Sequence, residues 1–376
     1  MRPAAVASLA FASVWASACI NDRDTVASEL RQSPEVGRSL VGWFDRLPED
    51  YYRQRINRLN AKGALTPNEY DDLSVAYERM GRSKEALEVI EKKAKLPLKG
   101  EDLYRLHANR GTFLLILWLK GGAKIEDMSL VERGERDITT AVRLKPGSHF
   151  GRESTQLELM RWLIAAKKQP EKAGGLGQWL AEHTTEAQRN ETQPSHSKGL
   201  AGLISLGAAW EMVDVAAALA YLESLKRHYQ MAEFARMRVD ELRKSGKRAF
   251  NPSGVEEDMY ALATEDPGAR HTYTAECYLL LRTAADERNA ALTTFVENRI
   301  DDHRHPDTEP SFWKAWEEPA LPKLPGRPSP FTPAVQNVFV PVLVGGAGVL
   351  IVSAILLDRR RRGRRASASG MAGKNA

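Results

Sequence analysis

"YDDLSVAYERMGRSKEALEVIEKKAKLP", residues 70–97, carries no motif that arranges residues to attack, protonate or chelate a substrate, yet its apolar residues are regularly spaced. Tyr70, Leu73 and Tyr77 fall three and four apart, which puts them on one stripe of a helix. Gly81 has the backbone freedom to end that helix, and Ser83 opens a second. In the second helix Ala86, Ile90 and Ala94 recur every four residues, with Leu87 and Val89 widening the apolar face. Two helices this short cannot bury their stripes singly, so the spacing predicts an antiparallel hairpin, with Ala86 small enough to let the backbones approach.

Further along, "LHANRGTFLLILWLKGG" and "VERGERDITTAVRLKPGS" supply a second, longer pair around Gly111, Gly134, Ile138, Ala141, Leu144 and Pro146. The run Phe113 to Leu119 is too short to span a bilayer and reads as a buried helix face. "GGAKIEDMS" between the two halves is expected to form a surface loop or to lengthen the first helix.

These residues resemble the tetratricopeptide repeat (TPR), a helix-turn-helix unit of about 34 residues. Tyr70, Leu73, Tyr77, Gly81, Ala86 and Ile90 match its pattern in type and spacing, and Gly111, Ile138, Ala141 and Pro146 stand at its mutual distances in the second pair. Ser74 and Lys93 occupy sites where the family usually has Gly or Ala, Pro97 comes one residue early, and the insertion is foreign to ordinary repeats. The resemblance runs from Tyr70 to Pro146, about a fifth of the chain. It implies an all-α fold: a solenoid of TPR-like helical hairpins that binds a protein or peptide partner in its concave face and needs no cofactor. Asp72 and Ala76 are then candidates for the inner face.

Both ends of the chain read as addresses. Residues 1–18 have Arg2, an uncharged apolar stretch from Ala4 to Trp15 and Ala16-Ser17-Ala18, the pattern of a cleaved secretory signal. Cys19 follows, and "ASAC" resembles a bacterial lipoprotein signal, although Ala16 stands where that family usually has Leu. Residues 338–357 form an uncharged apolar run of the length a transmembrane helix needs, and "DRRRRGRR" follows at once. Arginines there resist translocation, which predicts a basic cytoplasmic tail over 358–376 and a periplasmic or extracellular body. A sorting signal removed by a membrane protease is the other reading of this end. Six prolines between 319 and 333 predict an extended linker over 318–337.

Capping helices are expected over 19–66, the repeats over 67–147, and further irregular helices over 148–317, with no sheet. The polar stretch "TTEAQRNETQPSHSKG" reads as a loop. Net charge is +5, but the tail beyond Asp358 holds seven positive charges, which leaves about −2 for the rest. That balance argues against a nucleic-acid groove.

Three places invite a chemical reading. "DDHRHPDTEP" gathers Asp301, Asp302, His303, His305 and Asp307, side chains that suit zinc, but without a spacing that fixes two ligands on one helix face. "GLISLG" around Ser205 lacks the spacing of a nucleophile elbow, and "GGLGQW" lacks the Lys and Ser or Thr of a phosphate loop. The expected function is therefore a membrane-anchored interaction scaffold with no catalytic or metal site. The alternatives are an enzyme with its site in residues 199–316 and an assembly component of an envelope machine.

Overall fold

The computed structural model describes residues 36–146, 151–206, 209–260 and 269–325, with the side chains of 269–273 excepted. The expected signal, transmembrane span and basic tail lie outside the described residues, as does the linker beyond 325. Among the described residues every regular element is helical, and none is long and apolar enough to cross a membrane.

The described helices begin with α1 (Val36–Val41) and α2 (Glu49–Asn60), followed by α3 (Pro67–Arg79) and α4 (Ser83–Lys93). Thr66 starts α3 by accepting from the backbone of Glu69, while the Glu69 carboxylate accepts from the Thr66 N–H, so two orphan donors are satisfied reciprocally. Gly81, at φ +76°, turns the chain into α4. α5 (Gly100–Lys120) and α6 (Met128–Leu144) follow, joined by a loop in which the Trp118 indole donates to the Lys124 carbonyl. Each of α2 to α6 packs on its successor, α3 also meets α5, and α6 packs on α7 (Arg152–Lys168).

Between α7 and residue 260 no helix exceeds 16 residues. α8 (Pro170–Ala173), α9 (Leu176–Glu182), α10 (Glu186–Arg189) and α11 (His196–Leu206) lead through a 3-10 turn at Ala209–Glu211 to α12 (Val213–Leu225), α13 (Tyr229–Lys244) and α14 (Pro252–Tyr260). The stretch expected to be a loop at 184–199 thus contains all of α10 and the start of α11. Thr185 and Gln188 form a second reciprocal cap, a Thr-x-x-Gln signal legible in the sequence. α12 and α13 form a hairpin, and Ala216 and Ala217 share a core with Val239 and Leu242.

The final helix, α15 (Ala269–Asp301), is 33 residues long and returns from α13 to α2 and α1. Its last turns place Leu292, Val296 and Ile300 in one core with Tyr51, Ile56 and Leu59 of α2, Leu73 and Ala76 of α3, and Ile90 of α4. α15 therefore covers one side of α2, whose exposed residues Arg53, Asn57 and Asn60 are polar. Tyr51 and Arg55 of α2 are fully buried because α15 and the chain after it cover them.

Candidate functional site

Most of the residues that carry the repeat resemblance are buried, whereas Gly81 is exposed. Leu73, Tyr77, Ala86, Ile90, Ile138 and Ala141 are buried, Tyr70 is half-buried, and Pro146 is exposed. The Tyr77 hydroxyl accepts from Asn60 Nδ2 at 2.8 Å, which ties α3 to α2. Gly111 and Gly134 mark the crossing of α5 and α6, since a Cβ on either would fall 2.8 Å from the other's carbonyl oxygen.

Asp72 and Ala76 are not available to a partner. The eight consecutive residues Asp71 to Glu78 are all buried, so α3 runs through the interior instead of lining an open groove. At its centre Asp71 accepts from Lys93 Nζ at 2.6 and 2.7 Å and from Asn109 Nδ2 at 3.0 Å, joining α3, α4 and α5. Lys93 stands where the repeat family usually has a small residue, and its charge is matched by Asp71. Burial pushes the Asp71 carboxyl up to about 7, against the pull of Lys93.

Within 199–316 the buried carboxylates bridge elements. Asp214 accepts from the backbone of Phe250 at 2.7 Å and Asn251 at 2.9 Å, just before α14. Asp258 accepts from Gly177 N–H at 2.6 Å and Gln178 N–H at 3.0 Å, satisfying two orphan donors in the first turn of α9. A Cβ at Gly175 would collide with the Asp258 carboxylate, and one at Gly177 would lie 2.9 Å from it. Gly175 and Gly177 of "GGLGQW" thus make room for an aspartate. Ser205 is tied to its own helix, its hydroxyl donating to the Ala201 carbonyl at 2.8 Å.

The cluster at 301–307 divides in two. Asp301, Asp302 and His303 are exposed, while His305 and the Asp307 side chain are buried. Arg55 donates to both Asp307 oxygens at 2.9 and 2.6 Å, Arg58 donates to one of them, and His305 Nε2 meets the Tyr51 carbonyl at 3.0 Å. The segment is a clasp that fastens the end of α15 to α2, and not simply a charged helix end and loop. Among the described residues no three His, Cys, Asp or Glu side chains converge as a metal site would require.

Glu318 makes a second fastening. It accepts from Trp43 Nε1 at 3.0 Å and from Arg288 Nε and Nη2 at 2.8 and 2.7 Å. Arg288 also donates to Asp45 at 2.7 Å.

A different arrangement surrounds Trp210, a half-buried residue of the 3-10 turn. The Arg238 guanidinium stacks 3.4 Å from its ring centroid and donates to the Trp210 carbonyl at 2.9 Å. Arg46 and Arg282 approach the same ring at 5.2 and 5.4 Å, and Phe44 meets it edge-on at 5.3 Å. Two carboxylates serve these three cations. Glu241 pairs with Arg238 at 2.8 Å and Arg282 at 3.1 Å and accepts from the Tyr278 hydroxyl; Asp286 pairs with Arg282 at 2.5 Å. Although burial opposes ionisation, the two arginines and the tyrosine hold the Glu241 carboxyl below its ordinary value. No signal in the sequence joined Arg46, Trp210, Arg238 and Arg282, which lie in four separate segments.

Compared with family models, curated proteins and solved structures, the chain matches none.

Proposed function

We propose that this chain is a TPR-like interaction protein, held at a membrane by residues 338–357, with its helical body outside the cytoplasm and a protein or peptide as its partner. The observation that supports the reading most is the chain-order stacking of α2 to α7, in which α3 meets α5 across the intervening α4. Stacked helical hairpins are an architecture that proteins use to present extended binding surfaces without reactive groups. Partner contact belongs on the outer surface, because α3 is enclosed.

The test is affinity purification of the intact protein from its native membrane after brief crosslinking. One protein enriched in stoichiometric amount, and lost when the body is deleted but the span retained, is the expected result. Recovery indistinguishable from a span-only control would overturn the reading. Enrichment that requires the span and tail instead of the body would point to an assembly component.

A further inference from the structure

We propose that residues 319–325, "PALPKLP", are a ligand segment: an extended proline helix whose two Leu-Pro pairs are gripped by a partner domain in a groove lined with aromatic side chains. This site is separate from the surface of the helical body proposed above, and it stands or falls without that reading.

The backbone is set by the sequence. Proline fixes its own φ at about −65° and drives the residue before it into extended conformations. Every residue from Glu318 to Pro325 except Ala320 and Lys323 is a proline or precedes one. The stretch therefore favours the left-handed polyproline helix, with about three residues per turn and no internal hydrogen bonds. In the structure residues 316–325 contain no helix, strand or turn, and among the described residues 319–324 make no hydrogen bond or ion pair. The segment starts from a fixed point, because Glu318 accepts from Trp43, Trp316 and Arg288.

At that period Leu321 and Leu324 fall on one edge, Pro319, Pro322 and Pro325 on a second, and Ala320 and Lys323 on the third. Leu321 is 40% exposed and Leu324 50%, and neither joins a hydrophobic core.

A spacer does not need these leucines, since proline alone supplies stiffness. Further on, Pro328, Pro330 and Pro333 are preceded by Arg327, Ser329 and Thr332, all polar, whereas Pro322 and Pro325, one turn apart, each follow a leucine. Two Leu-Pro pairs make two apolar ridges about 9 Å apart, each of a shape that fits between aromatic rings. A chain already held extended by proline also loses little entropy when it docks. Lys323 is exposed on the third edge and Arg327 follows Gly326 in the sequence, so the matching groove carries carboxylates at its rim.

The full-length protein in detergent is titrated into a panel of fluorescein-labelled SH3 domains, whose ligand grooves are lined by aromatic side chains, and binding is read by anisotropy. At least one domain is expected to bind the wild type ten or more times tighter than the variant Leu321→Ser with Leu324→Ser, which keeps every proline and alters only exposed side chains. Binding by no domain, or binding that the double variant retains, would overturn the inference. The natural occupant is read by placing benzoylphenylalanine at position 323 and irradiating native membranes. The expected product is an adduct with a different protein that, once purified, binds the wild type and not the double variant. Adducts formed only with lipid, with another copy of this chain or within the chain itself would overturn the inference, as would the absence of any adduct.

Discussion

Gly111 on α5 and Gly134 on α6 face each other so closely that neither position has room for a methyl group; each Cβ would lie 2.8 Å from the opposite carbonyl oxygen. Alanine would raise helix propensity by about 1 kcal/mol, but here it forces the backbones apart. The cost of overpacking a well-filled contact is about 1–3 kcal/mol. Gly111→Ala and Gly134→Ala are therefore expected to lower the urea midpoint. An unchanged or raised midpoint would mean the helices do not cross at these glycines.

Lys93 and Asp71 form a pair enclosed by three helices, both side chains being at most 1% exposed. Removing one partner leaves the other without its counter-charge, so Lys93→Ala is expected to cost about 3–5 kcal/mol. The double variant Asp71→Asn with Lys93→Met keeps the volume and removes both charges, and should recover most of that loss. Urea denaturation followed by circular dichroism distinguishes this from independent effects, in which the two losses would add.

Asp258 makes stability depend on pH in a defined direction. Burial, with Asp214 and Glu257 nearby, pushes its carboxyl from 3.8 up to about 7, although two backbone N–H groups oppose the rise. Between those values the folded state binds more protons than the unfolded one, so this contribution is present at low pH and falls as pH rises to about 7. Asp258→Asn does not titrate. The stability gap between wild type and variant is expected to narrow by a few kcal/mol from pH 4 to pH 8; a gap that widens would contradict the direction.

Asp307 fastens the end of α15 to α2 through Arg55, and both side chains are fully buried. Asp307→Asn is expected to destabilise by about 3–5 kcal/mol, because it removes a fully buried counter-charge from Arg55. Hydrogen exchange should rise first in α2 and in residues 302–318. Uniform acceleration over all helices would show that the clasp is not a local fastening.

The all-helical character and the turn at Gly81 were legible because helical spacing and a left-handed glycine are local properties. The burial of Phe113, Leu114, Leu115 and Ile116 also follows from composition, since a run with no polar member needs cover on several sides. The return of α15 onto α2 was not legible. It depends on Arg55 meeting Asp307, 252 positions away, and a lone arginine gives no sign of a distant partner. His305 and Asp307 invited a metal reading, set aside on spacing alone, for the same reason: their residue types suit zinc, whereas their role is fixed by Tyr51, Arg55 and Arg58 across the chain. The cluster around Trp210 is illegible on the same grounds, being assembled from four segments by the packing of α13 and α15.

The enclosed position of α3, on which the proposal of partner contact at the outer surface rests, can be measured directly with a single thiol. Ala76→Cys, in a chain whose Cys19 and Cys277 are replaced by serine, puts the probe at a residue with no solvent exposure. Native protein is predicted to resist maleimide and to react fully once unfolded in urea. Rapid stoichiometric labelling under native conditions would show that α3 lines an open groove after all.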